Sequence, residues 1–413
     1  MRPDKSQCNG DGADHRDLFA SLPDELLLHI FEAVGSNSKR DLCHVSRLNR
    51  RYHTLADSIL YKTIQFNTPE HHLTFSQSLG RRPRRGSLII GARLEYPDSE
   101  LSHLTLDADV HGSHYKPTLF DGLSRTISTM SNLEMLDVSV PETLLRGIGT
   151  LFNGPFDLAC LKSCTLFYQT DGDAYWDMQE NIHIFAHPTL ESLVLRRARL
   201  DHRGFDFLER PHGTSLKKLH LVECDVNDDA LSDILEFPEA LREFVMTYPV
   251  TEPEPELEEA SDDIGDYVHA LKSARHSLEH ITLDMPFLSG RKALRMRDFA
   301  VLRSLRLNWD YQLFGRTSKK PRMHSVGVPP ELETLEFLNE LGTDDQVTEL
   351  LKYMIETRSI VAAKLKTMIV VEDEDRPVPE DIVSACKEHG LQLDIIGRFD
   401  EDEDEDKDTE DAN

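Results

Sequence analysis

One pattern constrains this chain more than any other: L-x-x-L-x-L and its close variants recur ten times. The units begin at Leu101, Leu133, Leu161, Leu190, Leu216, Leu241, Leu278, Leu302, Leu332 and Leu365, at steps of 32, 28, 29, 26, 25, 37, 24, 30 and 33 residues. A unit this short cannot bury its apolar face alone, so recurrence at such a period means stacking on neighbours. Within a unit, the fourth and sixth positions alternate like a short strand with one buried face. The clearest unit is LKKLHLVECDVNDDALSDILEFPEA. Leu216, Leu219 and Leu221 make its strand, Cys224 sits in a turn, and Val226 returns inward. Asn227 caps a helix through Ala230, Leu231, Ile234 and Leu235, which Pro238 ends. The units at 161, 241 and 365 are weaker, with Cys164, Phe244 and Met368 in core positions. Each of those three, taken singly, also suits an ordinary strand of another α/β fold. The uneven steps predict an irregular array.

With Cys224 in its turn, the pattern resembles the cysteine-containing type of leucine-rich repeat. The resemblance implies an α/β solenoid, a horseshoe, over 101–398, with its strands exposed along a concave face. The third, fifth and seventh positions of each unit face outward. They are chemically mixed, and the basic members Arg196, Lys218, His220, His280 and Arg306 are the candidate target-binding residues. Such a face suits a protein target, with an acidic or phosphorylated segment as one option. A solvated strand face explains each residue singly just as well.

Upstream of the array the periodicity becomes helical. In LPDELLLHIFEAV (22–34), Pro23 fits a first turn, Asp24 and Glu25 suit the helix dipole, and Gly35 is a plausible stop. Leu22, Leu26, Leu27, Ile30, Phe31 and Val34 recur at spacings of three and four. A second stretch, 38–66, opens on Ser38 as a cap, with Asp41 three residues on. Leu42, Val45, Leu48, Tyr52, Leu55, Ile59 and Leu60 continue the pattern over two or three short helices. Leu22-Pro23-x-Glu25-Leu26-Leu27-x-x-Ile30-Phe31, followed by Leu42-x-x-Val45-Ser46-Arg47-x-x-Arg50-x-Tyr52, resembles an F-box. Leu60-Tyr61-Lys62-Thr63-Ile64 is similar to the end of such segments in many fungal proteins. The resemblance covers residues 18–65 and departs at Leu48–Arg51, where many members place an aromatic earlier; Tyr52 takes that role here. It implies docking on the Skp adaptor of a cullin–RING ubiquitin ligase through Leu22, Pro23, Leu26, Leu27, Ile30, Phe31, Leu42 and Val45. Any one of these also reads as core of a small helical domain. The implied function is a substrate receptor, with a non-ligase scaffold built from the same modules as the alternative.

Charge and composition bound the rest. The tail 400–413 carries −9 and the stretch 251–266 carries −8; removing both from the total of −28 leaves −11 for the other residues. Both stretches lack apolar periodicity and read as disordered, 251–266 as an insertion in the array and 399–413 as a tail. A mildly acidic body argues against a nucleic-acid partner. No apolar run has membrane-spanning length, and residues 1–17 are polar without a signal-peptide centre, which predicts a cytoplasmic or nuclear protein with a disordered N-terminus. The six cysteines have no paired spacing and read as reduced thiols.

His103, Asp107, Asp109, His111 and His114 have metal-ligand chemistry but no helical ligand spacing, so a solvated loop accounts for them better. RRPRRG (81–86) reads as a basic loop within a linker or cap, 66–100, rather than a phosphate or localisation patch. No nucleophile elbow, glycine-rich phosphate loop or CxxC pair occurs. The expectation is therefore no catalytic residue, no cofactor and no metal.

Overall fold

A computed structural model describes residues 19–397, apart from residue 20 and the stretches 96–125, 142–147, 153–157, 171–173, 206–212, 249–256, 258–259, 292–293, 310–312, 314–327, 342–344 and 374–376. The expected N-terminal and C-terminal disordered segments, the unit at Leu101 and the histidine cluster 103–114 lie outside the described residues. The chain divides into two compact units, Met1–Ile64 and Gln65–Asn413.

The first unit is three helices: α1 (Asp24–Asn37), α2 (Lys39–Val45) and α3 (Arg50–Leu60). Pro23 precedes α1, and Asp24 and Glu25 occupy its first turn. Gly35 does not stop it, because α1 runs on to Asn37. A Cβ at Gly35 would come within 2.9 Å of Leu42 and 3.3 Å of Ile59, so the missing side chain serves close helix approach instead. Ser38 caps α2 by accepting from the Asp41 N–H at 3.2 Å, and Asn49 caps α3 by accepting from the Tyr52 N–H at 2.8 Å. Leu27, Phe31, Leu42, Tyr52 and Ala56 form the core. Phe31 meets Tyr52 edge-to-face at 5.4 Å. Arg51 ties the last helix to the first, donating to the Asp24 carboxylate at 2.7 Å and the Leu22 carbonyl at 2.6 Å.

Strand β1 (Thr63–Phe66) lies at the boundary between the units. The second unit is built on a large parallel sheet that does not close on itself. Its strands follow in chain order: β2 (Gly91–Glu95), β3 (Met135–Pro141), β4 (Ser163–Gln169), β6 (Ser192–Arg196), β8 (Lys218–Val222), β10 (Glu243–Thr247), β11 (His280–Asp284), β12 (Ser304–Leu307), β13 (Thr334–Glu340), β14 (Thr367–Glu372) and β15 (Gln392–Gly397). Short strands β5 (Trp176–Asp177), β7 (Ala198–Leu200) and β9 (Asp225–Val226) form a second parallel sheet.

Every repeat unit among the described residues opens its strand on its third residue. The fourth positions align across the sheet, Leu136 with Cys164, Leu193, Leu219, Phe244, Ile281, Leu305, Leu335 and Met368, and all are at most 1 % exposed. The weaker units at 161, 241 and 365 thus occupy the same register as the strong ones. Cys224 is fully buried and its Sγ donates to the Leu195 carbonyl of the preceding unit at 3.5 Å. Burial pushes its thiol pKa up to about 12, so it is protonated and serves as a donor. Arg197 and Glu223 stand at one turn position in successive units, both with left-handed backbone (φ 50° and 54°) and ion-paired to each other at 2.9 Å. Asn227 caps the helix Asp228–Ile234, accepting from the Asp229 N–H at 2.8 Å.

Two expectations need correction. The linker-or-cap segment 66–100 holds helix α4 (Pro69–Arg81), a 3-10 turn over Pro83–Leu88 and strand β2. RRPRRG is therefore the junction of two helical elements. There Gly86 lies so close to the Thr129 carbonyl that a Cβ would meet it at 2.4 Å. The acidic stretch 251–266 is ordered at its C-terminal end. Asp263 accepts from the Gly265 N–H at 3.0 Å and caps a helix over Ile264–Leu271 whose Ile264 is fully buried. Buried Asp225 accepts from the Leu257 N–H at 3.0 Å and from the Tyr248 hydroxyl at 2.5 Å, and Asp228 accepts from the Ser261 N–H at 3.1 Å. Acids in this stretch and its neighbours are capping and anchoring groups as well as solvated charge.

Candidate functional site

Two surfaces qualify, one on each unit. On the helical unit the eight residues expected at a docking face separate into two groups. Leu27, Phe31 and Leu42 are at most 1 % exposed. They form the core of the helical unit with Tyr52 and Ala56. Leu22, Ile30 and Val45 are half-buried against that core. Pro23 and Leu26 are exposed, Leu26 by 49 %. Two residues complete the exposed apolar group without having been expected there. Leu48, on the connection from α2 to α3, is 70 % exposed, and Phe19 is 39 % exposed while packing edge-to-face on Tyr52 at 5.8 Å. Leu48 belongs to the helical pattern, so periodicity alone assigns it to the core; only the break at Ser46–Asn49 turns it outward.

On the second unit the third and fifth unit positions face away from the core, as in β6, where Ser192 and Val194 are half-buried and Arg196, at the seventh, is exposed; the seventh positions Asn308 and Val371 are buried instead. The structure places Arg196, Lys218, His220, His280 and Arg306 on this one face, but it neutralises most of their charge. Lys218 and His220 both reach Glu243, at 2.8 Å and 3.0 Å. Burial works to raise the Glu243 carboxyl, but the hydrogen bonds from Lys218 and His220 outweigh it and hold the pKa below the ordinary value. Arg306 grips Glu336 with two nitrogens at 2.8 Å each. Arg196 instead lies over the Phe167 ring, 5.2 Å from its centroid.

Among the described residues, no group of three or more His, Cys, Asp or Glu side chains is placed to hold a metal ion. Among the same residues, no helix is long and apolar enough to cross a membrane. A run of charges at the second position of each unit had not been anticipated. Lys162 meets Glu134 at 2.9 Å, Lys217 meets Glu191 at 2.7 Å, Arg242 approaches Glu279 at 3.8 Å, and Lys366 meets Glu333 at 2.5 Å. From Glu134 to Lys366 these residues alternate in sign along the edge where the strands begin, except that Lys217 and Arg242 are neighbouring cations.

A family model described as F-box-like matches residues 19–67. No curated protein matches the chain.

Proposed function

We propose, from the F-box-like match to residues 19–67, that this chain is the substrate receptor of a Skp–cullin–F-box ubiquitin ligase. F-box domains generally bind adaptors of the Skp type. In this reading Pro23, Leu26 and Leu48, with Phe19 and the half-buried Leu22, Ile30 and Val45 at the margin, meet the adaptor. The observation that carries it is that Pro23, Leu26 and Leu48 stay exposed on a three-helix unit whose core is Leu27, Phe31, Leu42, Tyr52 and Ala56. An apolar group held out on rigid helices is a docking device, because its burial supplies the association energy.

The second unit is a leucine-rich-repeat solenoid in this proposal. The support is the parallel strands in chain order, the fourth positions of the units in one register from Leu136 to Met368, and the buried Cys224 turn linking successive units. Its strand face holds the protein target. The chain performs no chemistry; it raises the local concentration of a target beside a transferring enzyme. The test is co-purification of the full chain with the Skp adaptor and with cullin. Recovery of both is expected. Recovery of the adaptor without cullin favours a scaffold, and recovery of neither refutes the proposal.

A further inference from the structure

The strand face shows what kind of target segment it accepts. In the middle row of the sheet, Arg93 is ion-paired with Asp137 at 3.2 Å towards one end and Arg306 with Glu336 towards the other. Between those pairs, β4 to β11 present a strip with little net charge, whose apolar members are Phe167, Val194, Val222 and Val245, all half-buried. Thr165, Val194, His220, Val245 and Thr282 are register partners along it. Five strands at about 4.8 Å spacing span roughly 19 Å, the length of about six extended residues. Inside this strip Lys218 and His220 already share Glu243. Arg196 makes no ion pair among the described residues. Its guanidinium lies over the Phe167 ring, 5.2 Å from the centroid, and the nearby Asp137 is engaged by Arg93.

We infer that this strip binds an extended protein segment of apolar residues carrying one carboxylate, and that the carboxylate meets Arg196. A phosphorylated or polyacidic segment is the wrong partner, because it would have to break the existing pairs to gain new ones. An arginine already resting over an aromatic ring has less freedom to lose on binding, and its planar guanidinium suits a carboxylate. The inference rests on the receptor reading of the second unit.

Random linear peptides displayed on phage, panned on the purified full chain, provide the test, with a phosphothreonine peptide library panned in parallel. Wild type should enrich apolar peptides with a single Asp or Glu. Arg196→Glu should switch that position to Lys or Arg, and Val194→Asp should abolish enrichment, with melting temperatures within about 2 °C of wild type, as expected for surface substitutions. Enrichment of polyacidic or phosphorylated peptides, enrichment unaltered by Arg196→Glu, or no enrichment at all would overturn the inference. Adaptor binding is measured on the same preparation. A chain that holds the adaptor yet enriches no such peptide keeps the receptor reading and loses this one.

Discussion

At the scale of single residues, neighbouring apolar side chains in one helix have opposite fates. Leu26 and Leu27 are adjacent and chemically identical, yet one is half exposed and the other fully buried. Helical periodicity finds the apolar set but not the direction of the core, since Leu26, Leu27, Leu28, Ile30 and Phe31 cover most of the circumference of α1. Tyr52 makes a sharper case. Its ring is central to the aromatic cluster, while its buried hydroxyl has no hydrogen-bond partner among the described residues. An unsatisfied buried hydroxyl costs about 1–3 kcal/mol. Tyr52→Phe should therefore leave the unit equally stable or raise stability by up to about 1 kcal/mol, read from the denaturant midpoint. Loss of stability would mean that the hydroxyl has a role the packing does not reveal. Leu219→Ala tests the repeat register in the same way. A fully buried leucine at a fourth position should lose about 2–5 kcal/mol, and an unchanged midpoint would show that the register is misassigned.

At the scale of elements, the strands were legible because a period of two survives any change in loop length. Where a strand was missed, a unit had replaced its leucines. In β2 the equivalent positions are Ile89, Ala92 and Leu94, with Ala92 paired to Leu136. In β15, Leu393 pairs with Met368, which puts Gly390 at the first position, in left-handed backbone just after the helix Glu380–Glu388. A template keyed to leucine sees neither. The charges at the second positions are visible in the sequence, but their meaning depends on the register that brings Glu191 beside Lys217 and Glu333 beside Lys366. The hydrogen bonds from those lysines lower both carboxyl pKa values. A carboxylate with a lowered folded-state pKa stabilises the fold fully above the unfolded value near 4.5, and that contribution is lost as the pH falls through the folded value. Melting temperature should thus fall on acidification below about pH 4.5, less so in high salt. Glu191→Lys should lower the melting temperature by placing three lysines side by side, with salt restoring part of the loss; salt-independent melting would remove the ladder from the stabilising interactions.

At the scale of the molecule, one chain joins a helical unit with apolar residues held outward to a parallel sheet whose cations are mostly paired. The candidate sheet face was legible as a face, from the third, fifth and seventh positions. Its charge balance was not, because Glu243 and Glu336 are separated in sequence from the cations they neutralise by a whole repeat. The helical segment was legible, but not which of its apolar side chains are exposed: Leu27, Phe31 and Leu42 are buried, while Leu48 and Phe19 are exposed. The most direct measurement is a binding titration of the purified full chain with a purified Skp adaptor, using wild type and the double variant Leu26→Asp, Leu48→Asp. Both positions are exposed in the free chain, so the variant should keep its circular dichroism spectrum and melting temperature. The expected result is saturable binding by wild type and at least a hundredfold weaker binding by the variant, roughly 2.7 kcal/mol or more, since two carboxylates would be desolvated in an apolar interface. Equal binding by a folded variant, or no binding by wild type, would contradict the docking role of the N-terminal helices.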